Sequence, residues 1–185
     1  TFALQGMYRT MSTATNVTAQ AVNTIEWLSA SGTTIVVPVY QRQYRWDIGG
    51  CEKLLADVRA VAASNDAHTH FIGSILSSES TAVTTGPDDV AELVLIDGQQ
   101  RITTLMLLVA ALHHTVRADN PVLAAELERV LVRASDPHRT KLRPHRAWAE
   151  VFEKVVLEKT GEHEARDSRF DDNYAFFRSQ IRADE

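Results

Sequence analysis

Five consecutive residues, Asp97-Gly98-Gln99-Gln100-Arg101, join an apolar run, Leu93 to Ile96, to a strongly apolar stretch that begins at Ile102. A strand that turns sharply into a helix exposes the helix's first amides. These have no partner within the helix and lie at the positive end of its dipole, so such a turn attracts anions. Gly98 allows a ligand close to the backbone, and Arg101 supplies a planar cation that can fork onto phosphate oxygens. The hydroxyls of Thr103 and Thr104 follow near the same turn. The chemistry suggested is phosphate handling. Asp97 conflicts with it, being an anion beside the phosphates, and a divalent ion bridging carboxylate and phosphate would resolve the conflict. Asp97 is thereby the candidate metal ligand. The same residues also have a plain structural use: Asp97 as N-cap with Gln100 three residues on is the D-x-x-Q form of a capping box. No Walker A sequence occurs, which excludes a P-loop enzyme.

A second segment, Pro38-Val39-Tyr40-Gln41-Arg42-Gln43-Tyr44-Arg45-Trp46, is polar and aromatic. Its aromatics offer stacking surfaces or apolar walls; its arginines and glutamines offer donors to phosphates and base edges. Trp46 is expected to tuck under the following helix; if the segment is merely a solvated strand end, Tyr44 would do the same. Tyr40, Gln41 and Arg42 are the better candidates for contact, because they adjoin Pro38, where strand pairing must weaken. Arg133 to Arg146 holds five Lys or Arg and only Asp136 against them. Arg139, Lys141 and Arg143, with Arg45, are the candidates for contacts to a nucleic-acid backbone, and a solvated loop explains the first three equally well. His68 and His70 would share one face of a strand but lack a third ligand for a metal. His113-His114 suits the C-terminal end of a helix dipole.

The elements that position these residues read as follows. Thr18 to Ala30 has helical periodicity ending at Gly32, and Thr33 to Val39 is a β-branched strand that lies at an edge or stops at Pro38. Asp47 caps a helix over 48–63. His70 to Ser77 is a strand in which Gly73 marks a bulge or a close backbone approach, and Ser78 to Asp89 is a loop. Glu92 to Ile96 is a short strand, followed by helices over 99–114 and 121–133, a short strand around Leu142, and helices over 147–157 and 174–181. The class is α+β: a small mixed sheet with flanking helices and a helical C-terminal part.

A net charge of −5 over 185 residues argues against a generic charge-driven nucleic-acid binder. A single cysteine, Cys51, excludes an internal disulfide and a thiolate zinc site, and fits a cytoplasmic location. The longest apolar run, Leu105 to Leu112, is too short to span a membrane. Residues 1–17 read as leader or appended sequence, 18–145 as the main domain, and 146–185 as a helical extension leading to something further.

Pro38 to Trp46, Phe71-Ile72-Gly73, and Ile96-Asp97-Gly98-Gln99-Gln100-Arg101 with Thr103-Thr104-Leu105 together resemble one family over roughly residues 35–143: the N-terminal domain of GmrSD-like and SspE-like modification-dependent restriction proteins. The resemblance implies a ParB/sulfiredoxin-like core. In it the turn binds and hydrolyses a nucleoside triphosphate, GTP favoured, with Mg2+ as a companion. Gly98, Gln99, Arg101, Thr103 and Thr104 would bind the nucleotide, and Asp97, Gln100 and Arg101 would act in catalysis. In the SspE-like branch, which the Tyr40-Gln41-Arg42 run favours, Pro38, Val39, Tyr40, Gln41 and Arg42 would sense phosphorothioate DNA. In the GmrSD-like branch the mark would be a glucosylated base. DNA cleavage would belong to a C-terminal HNH-type domain. A modified-DNA binding module without catalysis and a ParB-like nucleotide switch are the other readings. One departure stands out: His145-Arg146-Ala147-Trp148, after Leu142, lacks the acidic residue expected there.

Overall fold

The computed structural model describes residues 4–11, 17–30, 32–41, 43–63, 70–79, 91–159 and 169–182. Two strands, β1 (Leu4–Met11) and β2 (Val17–Asn23), open the chain, followed by helix α1 (Thr24–Ser29), strand β3 (Thr33–Val36) and helix α2 (Ile48–Ala63). Strands β4 (His70–Glu79) and β5 (Ala91–Asp97) lead into α3 (Gln99–Val116) and α4 (Pro121–Leu131). A two-residue strand, β6 (Leu142–Arg143), precedes α5 (Arg146–Val156) and α6 (Phe170–Arg182). The class is α+β, as expected. The sheet is mixed and six-stranded, in the order β2-β1-β4-β5-β3-β6.

Two features at the N-terminal end differ from what the sequence pattern suggested. Leu4–Met11 lies inside the stretch set aside as leader, yet it is an interior strand, antiparallel to β2 and parallel to β4. The helix expected from Thr18 is strand as far as Asn23, with Val17, Thr18 and Val22 paired to β1. Helix begins only at Thr24, because the Asn23 side chain accepts hydrogen bonds from Ile25 N at 3.0 Å and Glu26 N at 3.3 Å. Periodicity alone could not tell a seven-residue strand plus a short helix from one longer helix.

The remaining elements fall close to their expected places. Strand β3 stops before Pro38, flanked by β5 and β6 in parallel register. Asp47 does start α2, its Oδ1 accepting from Gly50 N at 3.1 Å. Gly73 has φ +103° and sits at the register shift between β1 and β4, the expected bulge. Strand β4 continues to Glu79; residues 80–89 of the expected loop, and His68, lie outside the described residues.

Helix α3 is buried on nearly every side from Gln99 to Ala111, which explains its all-round apolar composition. It packs against α4 and α6, with α5 alongside. Val151, Phe152, Phe170 and Phe177 belong to the same core as Ile35, Leu95 and Ile102. The helical C-terminal part therefore shares the core of the sheet region. Among the described residues no helix is long and apolar enough to cross a membrane.

Candidate functional site

Strand β5 ends at Asp97 and α3 starts at Gln99, with Gly98 between them at φ +91°. That left-handed turn makes Gly98 the N-cap, and no side chain caps the helix. The capping box expected from Asp97 and Gln100 is therefore absent. Asp97 Oδ1 instead accepts from Gly98 N at 2.7 Å, and the carboxylate remains exposed. The first helical bond of the turn runs from Ile102 N to Gly98 O at 3.0 Å. A Cβ on Gly98 would lie 3.3–3.4 Å from Ile75 and Ser74, so space as well as φ favours glycine there.

Gln100 is 7% exposed, and its amide holds the second motif in place. Its Oε1 accepts from Arg45 N at 2.7 Å and its Nε2 donates to Gln43 O at 3.2 Å. Gln41 reaches the other way, its Nε2 donating to Ile96 O at 2.8 Å. These bonds clamp the segment after β3 onto the β5–α3 turn. Gln41, Trp46, Asp97, Gly98, Gln99, Gln100 and Arg101 thereby line one cleft of about 390 Å3. The two motifs singled out in the sequence form its two sides.

Arg101 projects from the first turn of α3 across β4. One guanidinium nitrogen donates to Ser74 O at 3.0 Å. The group lies flat against Gly73: a Cβ there would come within 2.7 Å of Arg101 Cζ and 2.8–2.9 Å of both terminal nitrogens. The expected close approach at Gly73 is thus made by a side chain. A guanidinium has five donors, so this one bond fixes its plane while others can meet an anion.

Several expected site residues stand elsewhere. Thr103 and Thr104 are buried; their hydroxyls donate to Gln99 O and Gln100 O, each at 2.8 Å, and neither lines the cleft. They occupy the core face of α3, so a direct nucleotide contact from them is corrected to a structural role. Pro38 is half-buried, whereas Val39 and Tyr40 are 72% and 73% exposed beside the cleft and do not line it. Arg42 lies outside the described residues. Trp46 does pack on the first turn of α2, 3.2 Å from where a Gly50 Cβ would stand, but it also walls the cleft. Tyr44 is buried and stacks on Phe170 with centroids 5.1 Å apart; burial pushes its hydroxyl pKa up, so it is a neutral hydrogen-bonding group.

The basic patch expected between Arg133 and Arg146 is largely engaged within the fold. Lys141 is 2% exposed and donates to Leu28 O, Ala30 O and Arg129 O at 2.7, 2.9 and 3.0 Å. Burial lowers its pKa, and it cannot contact a DNA backbone from there. Arg143 pairs with Glu92 at 2.8 Å and Arg139 with Glu153 at 3.4 Å. Arg45 is exposed, with its backbone held by Gln100. Among the described residues no cluster of three or more His, Cys, Asp or Glu could hold a metal. Among the described residues that line the cleft Asp97 is the only carboxylate, so a divalent ion there would rest on it together with ligand oxygens and water.

The profile of the GmrSD restriction endonuclease N-terminal domain matches residues 24–185. The chain belongs to this family. The match begins at the first residue of α1, and β1 and β2 lie ahead of it. Comparison with the curated proteins returns no match. Both sides of the cleft lie within the GmrSD N-terminal domain proper. Sequence reasoning missed the seat of Arg101 on Gly73 and Ser74, the place of Trp46 in the cleft wall, and the packing of Phe170, at the start of α6, on Tyr44. The glycine in the Phe71-Ile72-Gly73 motif was the one available signal.

Proposed function

We propose that this GmrSD N-terminal domain senses modified DNA for a restriction protein and hydrolyses a nucleoside triphosphate in the cleft at the β5–α3 turn. The observation that carries this reading is the convergence of both motifs on one cleft, with Arg101 fixed in orientation and Asp97 exposed beside it. A cleft of about 390 Å3 lies within the range of small-molecule sites. Arg101 would neutralise charge on the phosphate oxygens, and the turn's amides would cradle them. Asp97 would orient the attacking water or anchor a divalent ion. GTP with Mg2+ is the nucleotide we favour.

The exposed Val39 and Tyr40, held next to the cleft by Gln41, are the proposed contact with the DNA mark. A phosphorothioate suits an apolar and aromatic contact, because sulfur is poorly hydrated and is buried at lower cost than oxygen. This is the SspE-like reading; a glucosylated base is the alternative mark. DNA cleavage would come from a nuclease domain joined to this one.

The test has two arms. Mg2+-dependent GTP hydrolysis by the wild type should fall about 100- to 1000-fold in Arg101→Ala, while DNA binding stays intact. Fluorescence anisotropy at one fixed salt concentration should show preference for a phosphorothioate duplex over the same unmodified duplex, lost in Tyr40→Ala. A wild type with no hydrolysis would refute the catalytic arm. A second reading would then hold, a binding module without catalysis. The engagement of the Gln100 amide and both threonine hydroxyls within the fold favours that second reading.

A further inference from the structure

Asn173, on the first turn of α6, lies far along the chain from both motifs and is 1% exposed. Its Nδ2 donates to Trp46 O at 2.9 Å and to Tyr44 Oη at 2.8 Å. The carbonyl partner settles which end of the amide faces the segment. Tyr44 Oη lies 2.7 Å from Thr104 Oγ1, and Thr104 Oγ1 donates to Gln100 O. The directions close in one sense: Asn173 donates to Tyr44, Tyr44 to Thr104, and Thr104 to the backbone of Gln100. A buried relay thus runs from α6 to the first turn of α3, and its first member also holds the backbone of Trp46, which walls the cleft.

Neighbouring contacts reinforce the joint. Phe170 stacks on Tyr44. Arg169, a non-glycine residue at φ +60°, donates from its guanidinium to Arg45 O at 3.0 Å. A left-handed arginine persists only where its surroundings hold it. The start of α6 is therefore fitted to residues 44–46 at three successive backbone or side-chain positions.

We propose that Asn173 is a positioning residue for the cleft: through Trp46 O and Tyr44 Oη it sets the wall opposite Arg101, and so ties ligand binding in the cleft to the docking of α6. The ligand part rests on the nucleotide reading above; the positional part does not. Asn173→Asp keeps the shape but replaces the donor with a carboxylate facing the Trp46 carbonyl. Tyr44→Phe keeps the ring and removes only the relay oxygen. Phe177→Leu is a control that loosens α6 in the core without touching the relay.

The measurement uses the full chain with Trp27→Phe and Trp148→Phe, leaving Trp46 as the only tryptophan. Trp46 emission and acrylamide quenching are recorded without ligand, and then on titration with Mg2+–GTP. Asn173→Asp should shift Trp46 emission and increase quenching in the free protein, and should weaken Mg2+–GTP binding about tenfold. Phe177→Leu should leave both readouts near the parent values. Unchanged Trp46 emission and quenching in Asn173→Asp would overturn the proposal. So would a shift of equal size in the Phe177→Leu control. If Asn173→Asp does not fold, Tyr44→Phe decides by the same readouts, a smaller shift supporting the proposal and none overturning it. If no version binds Mg2+–GTP, the nucleotide reading fails, and the Trp46 signal alone still decides the role of Asn173.

Discussion

On the proposed function the cleft's chemistry depends most on Arg101, and Gly73 is what allows its pose. Two effects oppose a side chain at position 73: the φ of +103° and the contact of a Cβ with the guanidinium at 2.7 Å. Gly73→Ala should therefore destabilise the fold by roughly 1–2 kcal/mol from backbone strain alone. It should also push Arg101 off Ser74 O and reduce the hydrolysis proposed for the cleft. A double-mutant cycle separates the two effects, because Arg101→Ala removes the clash but not the strain. Urea denaturation should show Gly73→Ala costing less stability in the Arg101→Ala background than in the wild type. Strict additivity would mean that the guanidinium does not rest on Gly73. The same residues show the limit of local reading. Asp97 and Gln100 have the spacing of a capping box, but the partners of the Gln100 amide are 55 and 57 residues away. Spacing along the chain shows what a side chain could do nearby, and a stronger distant partner leaves no trace in it.

Long apolar and well-punctuated elements were legible for the same reason that isolated polar roles were not. Helix α2 follows Asp47, α4 starts with Pro121 at its first turn after Asn120, and α3 is apolar on all sides. Strands β1 and β2 escaped because their stability lies in pairing with each other and with β4, which no short window of sequence contains. Both motifs of the cleft were visible as unusual polar runs, yet their joining required the parallel placement of β3 beside β5. Lys141 was read as a surface cation because its neighbours in sequence are basic. In the fold its ammonium ties the end of α1 to the end of α4 by three carbonyls, an arrangement set by tertiary packing. Lys141→Met keeps much of the stem's packing and leaves those carbonyls without the donor. It should lower stability by roughly 2–4 kcal/mol, since each carbonyl left buried and unmatched carries a desolvation cost. A urea midpoint equal to that of the wild type would show that the carbonyls find other partners. DNA affinity per folded molecule should be unchanged, contrary to a role in backbone contact.

Helix α6 is tied to the rest of the molecule at two levels, by Asn173 towards the cleft and by Tyr174 and Arg178 towards the far end of α3. At that second level His114 Nδ1 is 2.8 Å from Tyr174 Oη, and Glu158 accepts from Tyr174, Arg117 and Arg178. Burial pushes the His114 pKa down to about 4; the Glu158 carboxylate pulls it up, while His113, Arg117 and Arg178 push it further down. His114 is therefore neutral at pH 7, and its 3.6 Å approach to Glu158 is not an ion pair there. Burial opposes ionisation of Glu158, but Arg178, His114, Arg117 and Tyr174 outweigh it and hold the carboxyl at about 2. Both groups have folded pKa values below their unfolded ones, so each contributes stability that is present above the unfolded value and lost as pH falls. For His114 that window runs from about 6.5 down to about 4, and for Glu158 from about 4.5 down to about 2. The histidine term is on the order of 3 kcal/mol when fully lost. His113, whose pKa burial also lowers, adds to the loss in the same direction. Urea midpoints of the wild type should therefore fall between pH 6.5 and 4. His114→Gln, which can still bond to Tyr174 but does not titrate, should start lower at pH 7 and fall less steeply over that window. An equally steep fall in His114→Gln would place the acid sensitivity elsewhere. Because α6 also carries Asn173, the same acid window should shift the emission of Trp46 before global unfolding, and that early shift should be smaller in His114→Gln.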